Sequence, residues 1–231
     1  MDTHAVFFDV DFTLIYPGPR FQREGYEHCC ARHGLSIDGE RFRASVAAAS
    51  SMLDEADGLR HDPRLFIDYT KRIIQGMGGE GPGLEACARE LFDEWAVCQH
   101  FSLFDDVEPV FRALTQRGLR IGLISNTHRS LASFQSHFEL EPFVTGAISS
   151  SQHGFLKPHA SIFRAALDLL GVDARASVMV GDNPAQDIAG ALAVGMRAVL
   201  LQRAGTRPPW CDAAAPDVPV ISTLHELLAL L

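Results

Sequence analysis

A chain of 231 residues, 47% hydrophobic and 21% charged, can bury one or two cores without covalent staples, which excludes disordered and fibrous classes. Lys and Arg number 20 against 29 Asp and Glu, a formal charge of −9. That acidic excess repels polyphosphate, so nucleic acid and anionic membrane surfaces are poor partners, although a local cation can still admit one small anion to a cleft. The five cysteines, Cys29, Cys30, Cys87, Cys98 and Cys211, form no CxxC pair and are odd in number, as expected of reduced intracellular thiols. The chain opens Met1-Asp2 without a basic stretch and has no run of 18 apolar residues, so a cytoplasmic, non-membrane protein is expected.

Residues 5–10 (Ala-Val-Phe-Phe-Asp-Val) are a short apolar run that reads as a strand. From 17 to 100 no strand is evident, and three helical stripes follow one another. Phe42, Val46, Ala49 and Leu53 make the first; Phe66, Tyr69, Ile73, Ile74 and Met77 the second; Leu84, Ala88, Leu91, Phe92 and Trp95 the third. The glycine-rich stretch 76–83 reads as a flexible joint between two of these helices. Beyond residue 101, strands at 120–125, 143–148, 177–181 and 197–201 alternate with helices at 107–117, 130–138, 160–170 and 184–194. Such alternation predicts βαβ units and a parallel sheet, a Rossmann-like three-layer α/β/α core of residues 1–16 and 101–231. The helical domain, 17–100, is inserted after its first strand.

In an open parallel sheet, ligands gather at the C-terminal strand ends. Four such ends here carry polar residues: Asp9-Val10-Asp11-Phe12-Thr13, Ser125-Asn126-Thr127, Lys157-Pro158 after the 140s strand, and Gly181-Asp182 through Asp187. In content and order these segments resemble the haloacid dehalogenase superfamily of phosphohydrolases. The resemblance covers nearly all of the α/β part, with the helical insertion standing where the family's first type of cap stands.

The resemblance implies a Mg²⁺-dependent phosphatase of a small phosphorylated metabolite, active as a monomer or homodimer. Asp9 is then the nucleophile that becomes an aspartyl phosphate, and Asp11 the general acid and base. Asp9, Asp182 and the backbone carbonyl of Asp11 would hold the metal, for which oxygen-only ligands suit a hard ion. Ser125, Asn126 and Lys157 are implied to bind the phosphoryl group, with Asp187 behind them fixing a metal water or Lys157. Only two of the 20 basic residues are lysines, and one is Lys157.

Phe12 stands where the family most often has Gly. Arg20, soon after the first crossing, is the candidate for a substrate anion; Arg60, His61, His128 and Arg129 carry less argument. His28, His33, His100 and His137 read as helix-surface or core histidines, and no HxxxH or Cys/His grouping points to zinc. Within the superfamily, dehalogenation has no need of an acid at the Asp11 position, whereas a sugar phosphomutase shares these core residues. A receiver-like phosphoprotein, which also uses an acidic cluster, a hydroxyl and a lysine, is the alternative from another class.

Overall fold

Ala-Val-Phe-Phe carries apolar side chains to both faces, and strand β1 (Ala5–Phe8) is accordingly buried at every position. The computed structural model describes residues 2–54, 59–203 and 217–231; Cys211 lies outside them. Strands β4 (Arg120–Ser125), β5 (Val144–Ser149), β6 (Ser177–Gly181), β7 (Arg197–Leu201) and β8 (Val220–Ile221) complete a six-stranded sheet in the order β5-β4-β1-β6-β7-β8. All its pairings are parallel. The order runs outward from β1 in both directions, so the chain reverses its winding between β1 and β6. Crevices for ligands open at such a reversal.

Helices cover both faces, as the expected three-layer α/β/α class requires. Phe7 joins Ile162, Phe163 and Ala166 of helix α8 (Ala160–Leu170) in one core, with Met179, Ile188 and Leu200. On the opposite side of β1, Phe8 packs on Phe111 of helix α5 (Val107–Gln116), ring centroids 5.0 Å apart. Helix α6 (Leu131–His137) starts with Ser130, whose hydroxyl accepts the Ser133 N–H.

Two differences from expectation concern this α/β unit. The helix expected over 184–194 is a π-helical turn, Pro184–Ala189, followed by the short α9 (Gly190–Ala193). Asn183 caps that turn through the Ala185 and Gln186 N–H groups, and the wide turn brings Asp187 back against the end of β6. Strand β8 was unforeseen because two residues, one exposed, show no period.

The chain divides into two compact units, Met1–Tyr16 with Leu103–Leu231, and Pro17–Ser102. It passes between them within the short strands β2 (Ile15–Pro17) and β3 (Phe101–Leu103). The second unit contains helices α1 (Arg23–Arg32), α2 (Phe42–Asp54), α3 (Pro63–Gly76) and α4 (Leu84–Trp95). The first of these was not expected, since its buried face is Gly25, Tyr26, Cys29 and Cys30 and lacks an aliphatic stripe. The glycine-rich stretch is a packed turn, not a flexible joint. Met77 is buried, its carbonyl accepts the Asp38 N–H at 2.7 Å, and a Cβ on Gly83 would strike the His33 carbonyl. Among the described residues no helix is long and apolar enough to cross a membrane.

One buried ion pair ties four segments of the α/β unit. Arg203 donates to both Asp106 oxygens at 2.8 and 2.9 Å and to the Thr13 carbonyl, and Asp106 also accepts the Leu224 N–H at 2.8 Å. Burial opposes the Asp106 charge, but Arg203 and the Leu224 N–H prevail and hold its carboxyl below the ordinary value. A depressed folded pKa stabilises above the unfolded value near 3.9 and is lost as pH falls through the folded one. Asp106→Asn should therefore lower stability by about 2–4 kcal/mol at pH 7. The deficit should shrink below about pH 4, as urea unfolding at the two pH values would read.

Candidate active site

The parallel register sets Phe8 level with Leu123 on β4 and Val180 on β6. Asp9, Ser125 and Asp182 consequently leave the sheet at one edge, on either side of the reversal point. The Asp9 N–H still reaches the Val180 carbonyl at 2.9 Å, so the carboxylate stands on the last rung of the sheet. A tight turn follows, in which Val10 O accepts the Leu14 and Ile15 N–H groups. Phe12 sits in that turn at φ +65°, a left-handed conformation that removes about 1–2 kcal/mol from an L residue with a side chain. The glycine usual there in the family would adopt it freely.

Lys157 is buried beneath these strand ends, and its ammonium uses all three protons on protein acceptors. It donates to Asp9 Oδ1 at 2.6 Å, Asp187 Oδ1 at 2.7 Å and the Ile124 carbonyl at 2.8 Å. The other Asp187 oxygen accepts the Asn183 N–H at 3.0 Å. Gly181 permits this approach, because a Cβ there would collide with the Asp187 carboxylate. The two carboxylates raise the Lys157 ammonium above its ordinary value, overcoming burial, so it remains charged. Burial, with Asp187 and Asp11 adding like charge, pushes the Asp9 carboxyl up to about 7 against the opposing Lys157.

Two expected site residues have side chains engaged by protein groups. The Asn126 side chain holds its neighbours: Oδ1 accepts the Lys157 backbone N–H at 2.7 Å, and Nδ2 donates to the Lys157 carbonyl and Gln186 Oε1, each at 3.0 Å. It clamps the backbone that carries Lys157. Arg20, the candidate for a substrate anion, is paired inside the helical unit with Glu90 at 2.8 Å and with Glu94.

Sequence reasoning also undervalued Arg129. Its side chain is entirely buried and donates from Nη1 to Asp11 Oδ1 at 2.9 Å. A buried guanidinium has to answer a carboxylate, but nothing in the spacing of residues 11 and 129 announces the pair. Ser125 Oγ and Thr13 Oγ1 are buried, and neither has a hydrogen-bond partner among the described residues.

One carboxylate oxygen from each of Asp9, Asp182 and Asp187 lies within 4.8 Å of the others, and all three residues are buried. The expected set named Asp11 for its carbonyl; its side chain turns to Arg129. Four carboxylates, Asp9, Asp11, Asp182 and Asp187, face the two cations Lys157 and Arg129, leaving two negative charges when all are ionised. An all-oxygen donor set with two uncompensated charges fits a hard divalent cation.

Removing the ammonium tests this electrostatic frame. Lys157→Met leaves Asp9 and Asp187 buried without their cation, and stability should fall by about 3–5 kcal/mol near pH 8. The Asp9 carboxyl, already raised by burial and now without its ammonium, carries a folded pKa above the unfolded one, so stability drops as pH rises through it. Urea unfolding should show a smaller deficit at pH 6 than at pH 8.

Comparison with known proteins agrees with this geometry. A model of the haloacid dehalogenase-like hydrolases matches residues 3–195. A glyceraldehyde 3-phosphate phosphatase of Methanothermobacter thermautotrophicus is 32% identical over 238 residues, 98% of this chain and 99% of that one. Another of the same name, from Pyrococcus abyssi, is 36% identical over 206 residues, 84% of this chain and 79% of that one. The crystal structure of an HAD phosphatase from Thermococcus onnurineus superposes with a TM-score of 0.64 at 24% identity, covering 99% of this chain and 97% of that one. With the match spanning most of the α/β unit and all four polar strand ends, the chain belongs to the haloacid dehalogenase-like hydrolases.

Proposed function

We propose that this hydrolase is a Mg²⁺-dependent phosphatase that removes phosphate from a small phosphorylated metabolite through an aspartyl phosphate on Asp9. The carrying observation is the pairing of Asp9 with the buried Lys157 near the Ser125 hydroxyl, which has no hydrogen-bond partner among the described residues, at the point where the sheet reverses its winding. The resemblance to two glyceraldehyde 3-phosphate phosphatases supports a compact monophosphate as substrate.

In this reading Asp9 attacks phosphorus, the phosphorus–oxygen ester bond breaks, and the leaving oxygen takes a proton from Asp11. Water then attacks the aspartyl phosphate, Asp11 recovers a proton from it, and inorganic phosphate leaves with Asp9 regenerated. Arg129 engages Asp11 through Oδ1, which leaves Oδ2 for the proton and fixes the carboxyl's rotation. Ser125 donates to a phosphoryl oxygen, and Lys157 keeps Asp9 oriented while offsetting charge as the bond forms. Asp9, Asp182 and Asp187, with the Asp11 carbonyl, are the groups to hold Mg²⁺, which when bound offsets phosphoryl charge and lets an anionic nucleophile approach.

Asp9→Asn should abolish phosphate release from an aryl phosphate with Mg²⁺ present, by more than about a thousandfold, with the circular dichroism unchanged. Retained turnover in that variant rejects the mechanism. Asp11→Asn should lower kcat by about 10²–10⁴-fold and let a phosphoenzyme accumulate on acid quench. A wild type that traps one phosphate per chain without releasing it would point to the receiver-like alternative.

A further inference from the structure

We propose that the helical unit carries a second metal site, a zinc centre built by Cys29, His33 and Cys87 and distinct from the carboxylate cluster. Cys29 and His33 lie four residues apart on α1 and at its C-terminal cap, one turn above each other, and Cys87 faces them from α4. The Cys29 and Cys87 sulfurs are 3.3 Å apart, and one ligand atom from each of the three residues lies within 4.8 Å of the others. A third thiol is beside them: Cys30 Sγ is 3.8 Å from Cys87 Sγ. All three cysteines are buried and free. The donors brought together are therefore two sulfurs and one imidazole, with a third thiol beside one of them, the soft set that structural zinc sites use and that a hard ion such as Mg²⁺ does not favour.

The surroundings match those of a ligating histidine. His33 Nε2 meets Glu90 Oε2 at 2.7 Å, and one ring nitrogen of His33 lies within 4.8 Å of the Cys29 and Cys87 sulfurs. Glu90 is itself held by Arg20 at 2.8 Å and by Arg32. A carboxylate behind the imidazole, anchored in turn, is the arrangement that fixes ring orientation in metal sites. His33 is half-buried, so an ion has a way in from the surface.

Binding one Zn²⁺ displaces one proton from each of Cys29 and Cys87, giving two thiolates, an electrically neutral site and two protons released to solvent. The ion would join α1 to α4, the helices that bring Cys29, Cys30, Cys87 and Ala88 into the unit's core.

The test is cobalt substitution of the full chain, stripped with chelator and reduced, in an Asp9→Asn/Asp182→Asn background that removes carboxylates from the other site. One equivalent of Co²⁺ should produce a thiolate-to-cobalt charge-transfer band in the near ultraviolet with intense tetrahedral visible bands, and one equivalent of Zn²⁺ should bleach both. Cys87→Ser should lose the charge-transfer band while His28→Ala, exposed on the same helix, keeps it. If Cys87→Ser does not fold, wild-type protein loaded with one Zn²⁺ per chain should release it on treatment with a thiol-blocking reagent under native conditions. A spectrum without the charge-transfer band at one equivalent overturns the proposal. So does a band that survives in folded Cys87→Ser, or zinc that stays bound after the thiols are blocked.

Discussion

The α/β unit's polar edge depends on one buried ammonium. Lys157 is buried away from solvent, so its three protons must find protein acceptors, and they find two carboxylates and a strand carbonyl. Each acceptor comes from a different part of the chain, and together they bring the ends of β1, β4 and β6 to one point. A buried cation of this kind holds geometry more than it adds net stability, because the desolvation of three charges offsets most of the attraction among them.

The remaining polar contacts follow from keeping that ammonium in place. Asn126 grips the Lys157 backbone on both its N–H and its carbonyl, while Asn183 and Gly181 shape the turn that returns Asp187. The π-helical turn after β6 is the local consequence: a regular α-helix from Pro184 would sweep Asp187 along its own spacing, and the wider turn lets the carboxylate meet Lys157. Phe12 belongs to the same group of local compromises, since its left-handed φ is tolerated where Val10 O and Ile15 O already fix the turn.

Charge explains why this edge differs from a core. Two cations against four carboxylates leave the site short of positive charge, and the Asp9 carboxyl is raised by burial first, with Asp187 and Asp11 adding to it. A proton or a divalent cation relieves that shortage. The helical unit shows a contrasting chemistry, in which Arg20, Arg32 and His33 converge on Glu90 beside three thiols.

The five long strands, their alternation with helices and the four polar strand ends were legible in the sequence, because period, length and turn chemistry are local properties. Asp9, Asp182, Asp187 and Lys157 stood out since acids and a rare lysine directly after apolar strands have no packing reason to be there. The partnership of Arg129 with Asp11 was not legible, nor the clamp by Asn126, nor the meeting of Cys29, His33 and Cys87. Each joins residues about 31 to 118 positions apart, or hangs on a helix whose buried face is Cys, Gly and Tyr and shows no apolar stripe. By itself the sequence determined which residue types stand at the ends of the strands. Tertiary structure decided which of them answer one another, because a buried charge or thiol takes its partner from whatever the packing of distant segments brings within a few ångströms.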